Sequence, residues 1–313
     1  MPRHPRSRPL PTARFAAIIV LLVVAAAVAF LIACPPAARG TGTQATPARQ
    51  PTAPRSPEAQ SQPNAGSSVR SSQPGSIPPE HPRQERQGLL AVIIDDAGYS
   101  LEELQAFLDL PLPLTVAVLP HLPHSQEAAR RVLAAGKDLI LHCPMEPNGG
   151  EDPGPGALYT GQSPQQIEAL LDAAFASVPG AIGMNNHMGS KATAEESLMT
   201  TVLGYLKRKG MLYIDSRTTP DTVGPRIARQ LGVPVLERNV FIDVGTGDEQ
   251  IASAFDKGVA EARARGSTVL IGHVQNKGVV DILRAMNARL AGQGVRLARL
   301  VDVLADREGN PSP

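Results

Sequence analysis

The sequence predicts an α/β fold, a (β/α) barrel of seven or eight units that covers residues 89–305. Three observations predict it. Short, continuously apolar runs alternate with longer amphipathic stretches, which is typical of βαβ units around a buried parallel sheet. Glycine follows the ends of several amphipathic stretches, where helix C-caps favour it. The segment of roughly 217 residues also has the length of a closed or partly closed barrel.

The predicted strands are the short apolar runs. One of them is ambiguous, because the run at residues 233–236 can continue through a second run at residues 240–242. The strands are Leu89–Ile94, Leu114–Leu119, Asp138–Leu141, Ala181–Met184, Met211–Ile214, Val233–Leu236, Thr268–Ile271 and Val295–Leu297.

The predicted helices lie between these strands. Ser163 and Gln166 have the spacing of a capping box, which predicts a helix start at that point. Gly136, Gly210, Gly232 and Gly266 predict four helix ends. The helices are Leu101–Leu108, Ser125–Ala135, Ser163–Ser177, Ala194–Lys209, Thr222–Leu231, Glu249–Arg265 and Lys277–Ala291.

Residues 1–34 are predicted to attach the protein to a membrane. Phe15–Ala33 is an uncharged apolar run of nineteen residues, long enough to span a bilayer as a helix. Four arginines in residues 1–14 favour a cytoplasmic N-terminus and export of the remainder. Alternatively, Leu31–Cys34 is a lipoprotein cleavage box and Cys34 carries lipid. Both alternatives place the barrel in the bacterial periplasm, at the inner membrane or tethered to the envelope.

Composition indicates what the remaining segments form and which functions are excluded. Residues 35–88 are rich in Pro, Ser, Gln, Ala and Arg and are predicted to be a disordered linker, and residues 306–313 a C-terminal tail. Thirty basic against 29 acidic residues give a net charge of +1, so no basic surface argues for nucleic-acid binding. Two cysteines do not make a disulfide framework. The sequence does not predict an oligomeric state.

Acidic side chains and imidazoles follow the predicted strands, where each strand ends. Because those ends converge on one face of a βα-barrel, the pattern predicts a functional cluster there. Five of the seven histidines belong to it. In strand order its polar residues are Asp95 and Asp96, His121 and His124, His142 and Glu146, Asn186 and His187, Asp215, and His273.

Imidazoles and carboxylates in this arrangement predict a divalent metal site, with zinc as the first choice. Such an ion polarises a carbonyl and activates water, which suits hydrolysis of an amide or ester. A glycosidase pair formed by Asp95 and Asp96 is the weaker interpretation, because adjacent strand residues are expected to point to opposite faces.

The motifs IIDDAG, AVLPHLPHS, LHCPMEP, MNNHMGS, LYIDSRT and IGHV occur in an order that resembles the divergent polysaccharide deacetylases, relatives of the NodB-type carbohydrate esterases. The resemblance covers about Leu89–Ala305. It implies a distorted (β/α) barrel and metal-dependent removal of acetyl groups from an N-acetylated glycan. The glycan and the membrane are therefore the expected partners.

The resemblance also implies roles for individual residues. Asp95 matches the general base, Asp96 and His142 match metal ligands, and His273 matches the acid that protonates the leaving amine. Glu146 stands where the family has its second histidine ligand. Either Glu146 is the third ligand or His187 is. We favour His187, which leaves Glu146, Asn186 and Asp215 as candidate substrate-binding residues.

Two departures from the family pattern keep a second hypothesis open. Asn185, Asn186 and His187 replace an expected arginine–proline motif, and Val274 follows His273 where proline is common. The alternative to a deacetylase is therefore a catalytically degenerate barrel that binds a glycan or an envelope protein.

Overall fold

A computed structural model of the protein describes residues 87–309 apart from Thr246. The predicted membrane segment, nearly all of the predicted linker and residues 310–313 lie outside the described residues. Within the described part, no helix is both long and apolar enough to cross a membrane.

Nine strands form one parallel sheet. Its hydrogen-bonded order is β6-β5-β4-β3-β2-β1-β8-β7, and β9 pairs with β1 beside this path. The strands are β1 (Gly88–Ala97), β2 (Thr115–Val118), β3 (Asp138–Met145), β4 (Gly183–Met188), β5 (Leu212–Asp215), β6 (Val235–Glu237), β7 (Val240–Phe241), β8 (Ser267–His273) and β9 (Val295–Leu297).

The helices connect successive strands and cover the sheet. They are α1 (Leu101–Leu108), α2 (Ser125–Ala134), α3 (Pro164–Ser177), α4 (Glu196–Lys209), α5 (Gly224–Leu231), α6 (Asp248–Arg265), α7 (Lys277–Arg284), α8 (Met286–Leu290) and α9 (Leu300–Gly309), with a 3-10 turn at Ala192–Ala194. The predicted capping box of Ser163 and Gln166 is present at the start of α3. Gly210 and Gly232 end α4 and α5 in the left-handed conformation, as predicted.

The sheet curls into a partly closed barrel with two apolar layers. One cluster of buried side chains, which includes Ile93, Ile140, Ile214 and Ile271, fills the inside of the curl and packs on Leu300 of α9. The larger cluster lies between the sheet and the outer helices. Alternate residues of each strand thus face one layer or the other, which explains the continuous apolar runs in the sequence. The prediction of a distorted (β/α) barrel is confirmed.

The seam of the barrel lies between β6 and β7, which occupy the two ends of the sheet order. Only Arg238 and Asn239 connect these strands, so no helix lies between them in the chain. The Arg238 backbone N–H donates to the carbonyl of Asp215 in β5 (2.9 Å). Asn239 donates to the carbonyl of Val269 in β8 and accepts from the same residue's N–H through its side chain (both 2.8 Å). The two predicted runs at 233–236 and 240–242 are therefore separate strands on opposite edges.

Two element predictions differ from the structure. The predicted helix at residues 277–291 is divided at Ala285, where a turn redirects the chain and allows Met286 to be fully buried. At the other end of the domain, α9 continues past Ala305 to Gly309, so the fold includes part of the predicted tail.

Candidate metal centre

Three donor atoms converge at the carboxyl ends of the strands. Oδ1 of Asp96 lies 3.1 Å from Nε2 of His142 and 3.0 Å from Nδ1 of His187, and the two nitrogens are 3.1 Å apart. The side chain of His142 is 2% exposed, whereas those of Asp96 and His187 are 18% and 22% exposed. The cluster is therefore closed from below and accessible from the barrel mouth.

Asp96 reaches this cluster because β1 is irregular where it ends. The register between β1 and β2 shifts between Ile94 and Ala97, and Asp96 has a φ of 65°, in the left-handed region. Such bulges redirect side chains and are common beside active sites. Oδ2 of Asp95 also lies near His142 Nε2, at 3.7 Å. The expectation that the two aspartates point to opposite faces was therefore wrong.

Asn185 fixes the protonation of His142. The Asn185 amide donates to Asp95 Oδ1 (2.8 Å), so its carbonyl oxygen faces Nδ1 of His142 at 2.7 Å. Because a carbonyl only accepts hydrogen bonds, Nδ1 carries the proton. In neutral His142, the lone pair of Nε2 then points at Asp96. Second-shell contacts of this kind orient the histidine ligands of metal sites.

The cluster has the chemistry of a cation site. Asp96 Oδ1 is buried and has no hydrogen-bond partner, although two imidazole nitrogens lie beside it. An unpaired buried carboxylate oxygen facing a nitrogen lone pair is unfavourable unless a cation or a proton lies between them. Nitrogen and oxygen ligands about 2.1 Å from one Zn²⁺ ion stand at mutual distances near those observed here. Asp96, His142 and His187 therefore fit a divalent metal ion.

The two aspartates differ in acidity. Burial raises the pKa of Asp95 above its usual value, and the favourable effects of His142 and Asn185 offset only part of that rise. Burial also raises the pKa of Asp96, but the contacts with His142 and His187 outweigh it and hold this pKa well below the usual range. For His142, the charges of Asp95 and Asp96 overcome burial, so its pKa is raised.

His273 lies at the end of β8, on the other side of β1 from β3 and β4. It pairs in register with Asp95 of β1, which places the two residues on neighbouring strands. Its Nδ1 lies 3.0 Å from Oδ1 of Asp243, and its backbone N–H donates to Oδ2 of the same carboxylate (2.7 Å). Burial lowers the pKa of His273, but the Asp243 carboxylate raises it more, to about 9. The 36% exposed ring is therefore protonated at neutral pH.

The alternative ligand Glu146 is not part of the cluster. Its Oε2 accepts from the backbone N–H (2.8 Å) and hydroxyl (2.6 Å) of Thr160, and its Oε1 lies 2.7 Å from Lys191 Nζ. These contacts lower the pKa of Glu146 to about 2, the largest contribution coming from Lys191. The carboxylate joins the loops that follow β3 and β4. The structure thus places Glu146 in a loop-fixing position.

The side chains of Asn186 and Asp215 likewise form hydrogen bonds within the protein, to the end of β4 and to the loop that follows β5. The Asn186 amide donates to the carbonyl of Met188 (2.7 Å), and its carbonyl oxygen accepts from the backbone N–H of Ser216 (2.9 Å). Asp215 is fully buried and accepts from the hydroxyl of Thr222 (2.6 Å) and the backbone N–H of Arg217 (2.7 Å). Burial raises the pKa of Asp215. Both side chains therefore help to fix the loop that follows β5.

His121 and His124 lie in the turn between β2 and α2. His124 occupies the N-cap position of α2 without a side-chain cap bond, and the His121 ring lies against Gly156. The group of side chains whose ligand atoms meet, among the residues that the structure describes, is Asp96, His142 and His187.

Two residues of the site were not identified from the sequence. Asn185 was named only as part of a departure from the family motif, yet it links Asp95 to His142. Asp243 was not considered, although it follows the apolar run of β7 and could have been found by the same strand-end pattern.

Comparisons with known proteins agree with this architecture. The family model described as divergent polysaccharide deacetylase matches residues 92–304. An uncharacterized protein of Haemophilus influenzae is 36% identical over 187 residues, which are 60% of this chain and 67% of that protein. The uncharacterized protein YibQ of Escherichia coli is 36% identical over 199 residues, 64% of this chain and 62% of that protein.

A solved structure shares the fold. The crystal structure of an uncharacterized protein from Agrobacterium tumefaciens superposes with a TM-score of 0.66 at 21% identity, covering 70% of this chain and 89% of the other. The family match spans more than half of the chain and includes every residue of the converging cluster. The chain belongs to the divergent polysaccharide deacetylase family.

Proposed function

We propose that the protein is a metal-dependent hydrolase that removes acetyl groups from an N-acetylated glycan of the cell envelope. The observation that carries the proposal is the convergence of Asp96 Oδ1, His142 Nε2 and His187 Nδ1 at 3.0–3.1 Å. A buried carboxylate and a protonated imidazole flank this cluster, which completes the groups that amide hydrolysis needs.

Asp96, His142 and His187 would hold the metal, and zinc suits one carboxylate and two imidazoles. A divalent ion bound there would polarise the acetyl carbonyl and lower the pKa of an attacking water. Asn185 fixes the orientation of His142, so that neutral His142 can bind the metal through Nε2 without a local rearrangement.

Asp95 is the proposed general base. Its Oδ1 accepts a hydrogen bond from Asn185, whereas Oδ2 faces the cluster beside His142 Nε2. Burial raises its pKa, which makes this carboxylate a better proton acceptor than an exposed aspartate. Oδ2 would take the proton from the attacking water.

His273 is the proposed general acid. Its Nδ1 is held by Asp243, so Nε2 remains to donate a proton to the leaving nitrogen. The pKa of about 9 keeps the ring charged at neutral pH. Asp95 and His273 thus occupy neighbouring strands with opposite proton-transfer roles, as an acid–base pair requires.

The substrate class rests on the family and on the mouth of the barrel. Tyr99, directly after β1, and Tyr159, in the loop between β3 and α3, are exposed. Exposed aromatic rings there can pack against the apolar face of a sugar ring. The apolar run at residues 15–33 and the linker support a location in the periplasm.

Metal analysis and an acetyl-release assay test this proposal on the full-length chain in a neutral detergent. We expect close to one divalent ion per chain and acetate release from chitooligosaccharides. Asp95→Asn should retain the metal and lose about 10²- to 10⁴-fold in rate. A chain that binds glycan but releases no acetate with zinc, cobalt, manganese or nickel would instead be the degenerate binder.

The location is tested separately with a reporter fused after Pro313. Alkaline phosphatase folds only outside the cytoplasm, so an active fusion is expected and an inactive one contradicts the periplasmic location. Labelling with a radioactive fatty acid distinguishes the two forms of attachment, since only the lipoprotein would incorporate the label and Cys34→Ala would abolish it.

A further inference from the structure

A cleft rich in arginine opens at the seam of the barrel. It encloses about 1080 Å³ and lies among the seam dipeptide, α5, the end of α6 and α9. This volume is that of a small-molecule site. The cleft has five arginines on its walls, which are Arg217, Arg229, Arg238, Arg265 and Arg307.

The positive charge of this arginine cleft is only partly neutralised. Glu237 pairs with Arg217 (3.0 Å) and with Arg229 (2.5 Å). Glu261 is the second carboxylate on the walls, so five guanidinium groups against two carboxylates leave a formal charge of +3. Among the described residues, no carboxylate forms an ion pair with the remaining arginines of the walls.

Two of the arginines are held in place at one end. Nε of Arg238 donates to the carbonyl of Ser216 (2.7 Å), and Nε of Arg307 donates to the Ser267 hydroxyl (3.0 Å). Burial lowers the pKa of both guanidinium groups, which shows that their charge is partly desolvated. Fixed and incompletely paired guanidinium groups are suited to bidentate recognition of an oxyanion.

The segment that precedes the barrel does not fit the cleft by charge. Residues 35–86 carry six arginines and three glutamates, so this segment is itself basic. An external anion is the complementary occupant. We propose that the arginine cleft binds a ligand with two or more phosphate groups, at a site separate from the metal centre.

Calorimetric titration of the metal-free, full-length chain with inorganic tripolyphosphate tests this proposal. Removing the metal prevents chelation from contributing to the signal. The double variant Arg265→Gln with Arg307→Gln should bind tripolyphosphate about tenfold or more weakly than the unsubstituted chain. The matched control, Arg263→Gln with Arg296→Gln, removes the same charge from exposed positions outside the walls and should change affinity less than about twofold.

Equal weakening in both double variants, or no binding by the unsubstituted chain, would overturn the proposal. Arg265 is exposed at the end of α6, so the single variant Arg265→Gln gives the same test if Arg307 is needed for folding. Mixed micelles of cardiolipin, whose headgroup carries two phosphate groups, and neutral detergent identify the source of the phosphate. If the micelles compete with tripolyphosphate and the cleft variant abolishes this competition, the ligand is a lipid headgroup. If tripolyphosphate binds and the micelles do not compete with it, the ligand is a soluble anion.

Discussion

The two sides of the barrel mouth place a histidine in opposite chemical environments. On the β3 side, Nδ1 of His142 meets the neutral carbonyl of Asn185, whereas on the β8 side Nδ1 of His273 meets the carboxylate of Asp243. In both rings, Nδ1 is held by one short contact. With Nδ1 protonated toward the neutral partner, the neutral form of His142 has its lone pair at Nε2, facing Asp96, whereas the charged partner raises the pKa of His273.

In the proposed mechanism, the hydrogen-bond partner of each histidine sets its role. A metal ligand needs an unprotonated nitrogen, and a general acid needs a proton to give. Burial follows the same division, since the His142 side chain is buried and the His273 ring is partly open to solvent. The predictions below change one side and leave the other intact.

The largest effect is expected from Asp96→Ala, which removes the only carboxylate of the donor cluster. Metal content should fall to near zero and acetate release by about a thousandfold or more, because the ion supplies several kcal/mol of transition-state stabilisation. Elemental analysis and the acetate assay measure both. Glu146→Gln is the matched control, since Glu146 pairs with Lys191 and Thr160 and should not change metal content. Loss of metal in Glu146→Gln would show that Glu146 is a ligand.

The next effect is expected from His273→Gln on the other side of the mouth. Removal of a general acid should slow acetate release by about 10²- to 10⁴-fold and leave metal content unchanged. An activated phenyl acetate tests the role more sharply, because its leaving group needs no proton and its hydrolysis should fall much less. Equal losses for the amide and the activated ester would contradict an acid role for His273.

The sequence was sufficient for the fold and for the donor cluster but not for the groups that control them. Continuous apolar strands and capping residues located most elements within a few residues, because burial on both faces leaves a strong pattern. Asp96, His142 and His187 were selected by their positions after β1, β3 and β4. The sequence did not predict the local course of the backbone or the hydrogen-bond partners of the polar side chains.

The bulge in β1 illustrates this limit. For a regular strand, the motif IIDDAG would place the side chains of Asp95 and Asp96 on opposite faces. In the structure, the register against β2 shifts at this point and Asp96 has a left-handed backbone conformation. Glu146, Asn186 and Asp215 have the residue types of substrate contacts, yet hydrogen bonds within the loops occupy them. The hydrogen-bond partners of a polar side chain depend on loop conformation, which no periodic pattern in the sequence predicts.

A moderate effect is expected from Asn185→Leu, which removes the contact that orients His142. With no acceptor at Nδ1, the ring can place its proton on Nε2, so metal affinity should fall about 10- to 100-fold. Competition with a chromogenic zinc chelator measures the affinity. Activity at saturating zinc should recover in part, which separates weaker binding from a misfolded site. An unchanged affinity would mean that Asn185 does not set the tautomer of His142.

The smallest effect at neutral pH is expected from Asp243→Asn, and it appears in the pH dependence. A group that must be protonated loses its function as the pH rises through its pKa. Because the Asp243 carboxylate raises the pKa of His273, its removal should move the alkaline limit of activity downward by about one pH unit or more. A bound cation lowers this pKa in both proteins, so the difference between them is the quantity to compare.

The titration of His273 can also be followed directly by proton NMR of its ring in the metal-free chain, which does not depend on turnover. The signal should titrate near pH 9 in the unsubstituted protein and at a lower pH in Asp243→Asn. Identical titrations would show that the Asp243 carboxylate does not hold the proton on His273. The contrast between the two sides of the mouth would then rest on burial alone, and the acid role of His273 would need a different source of charge.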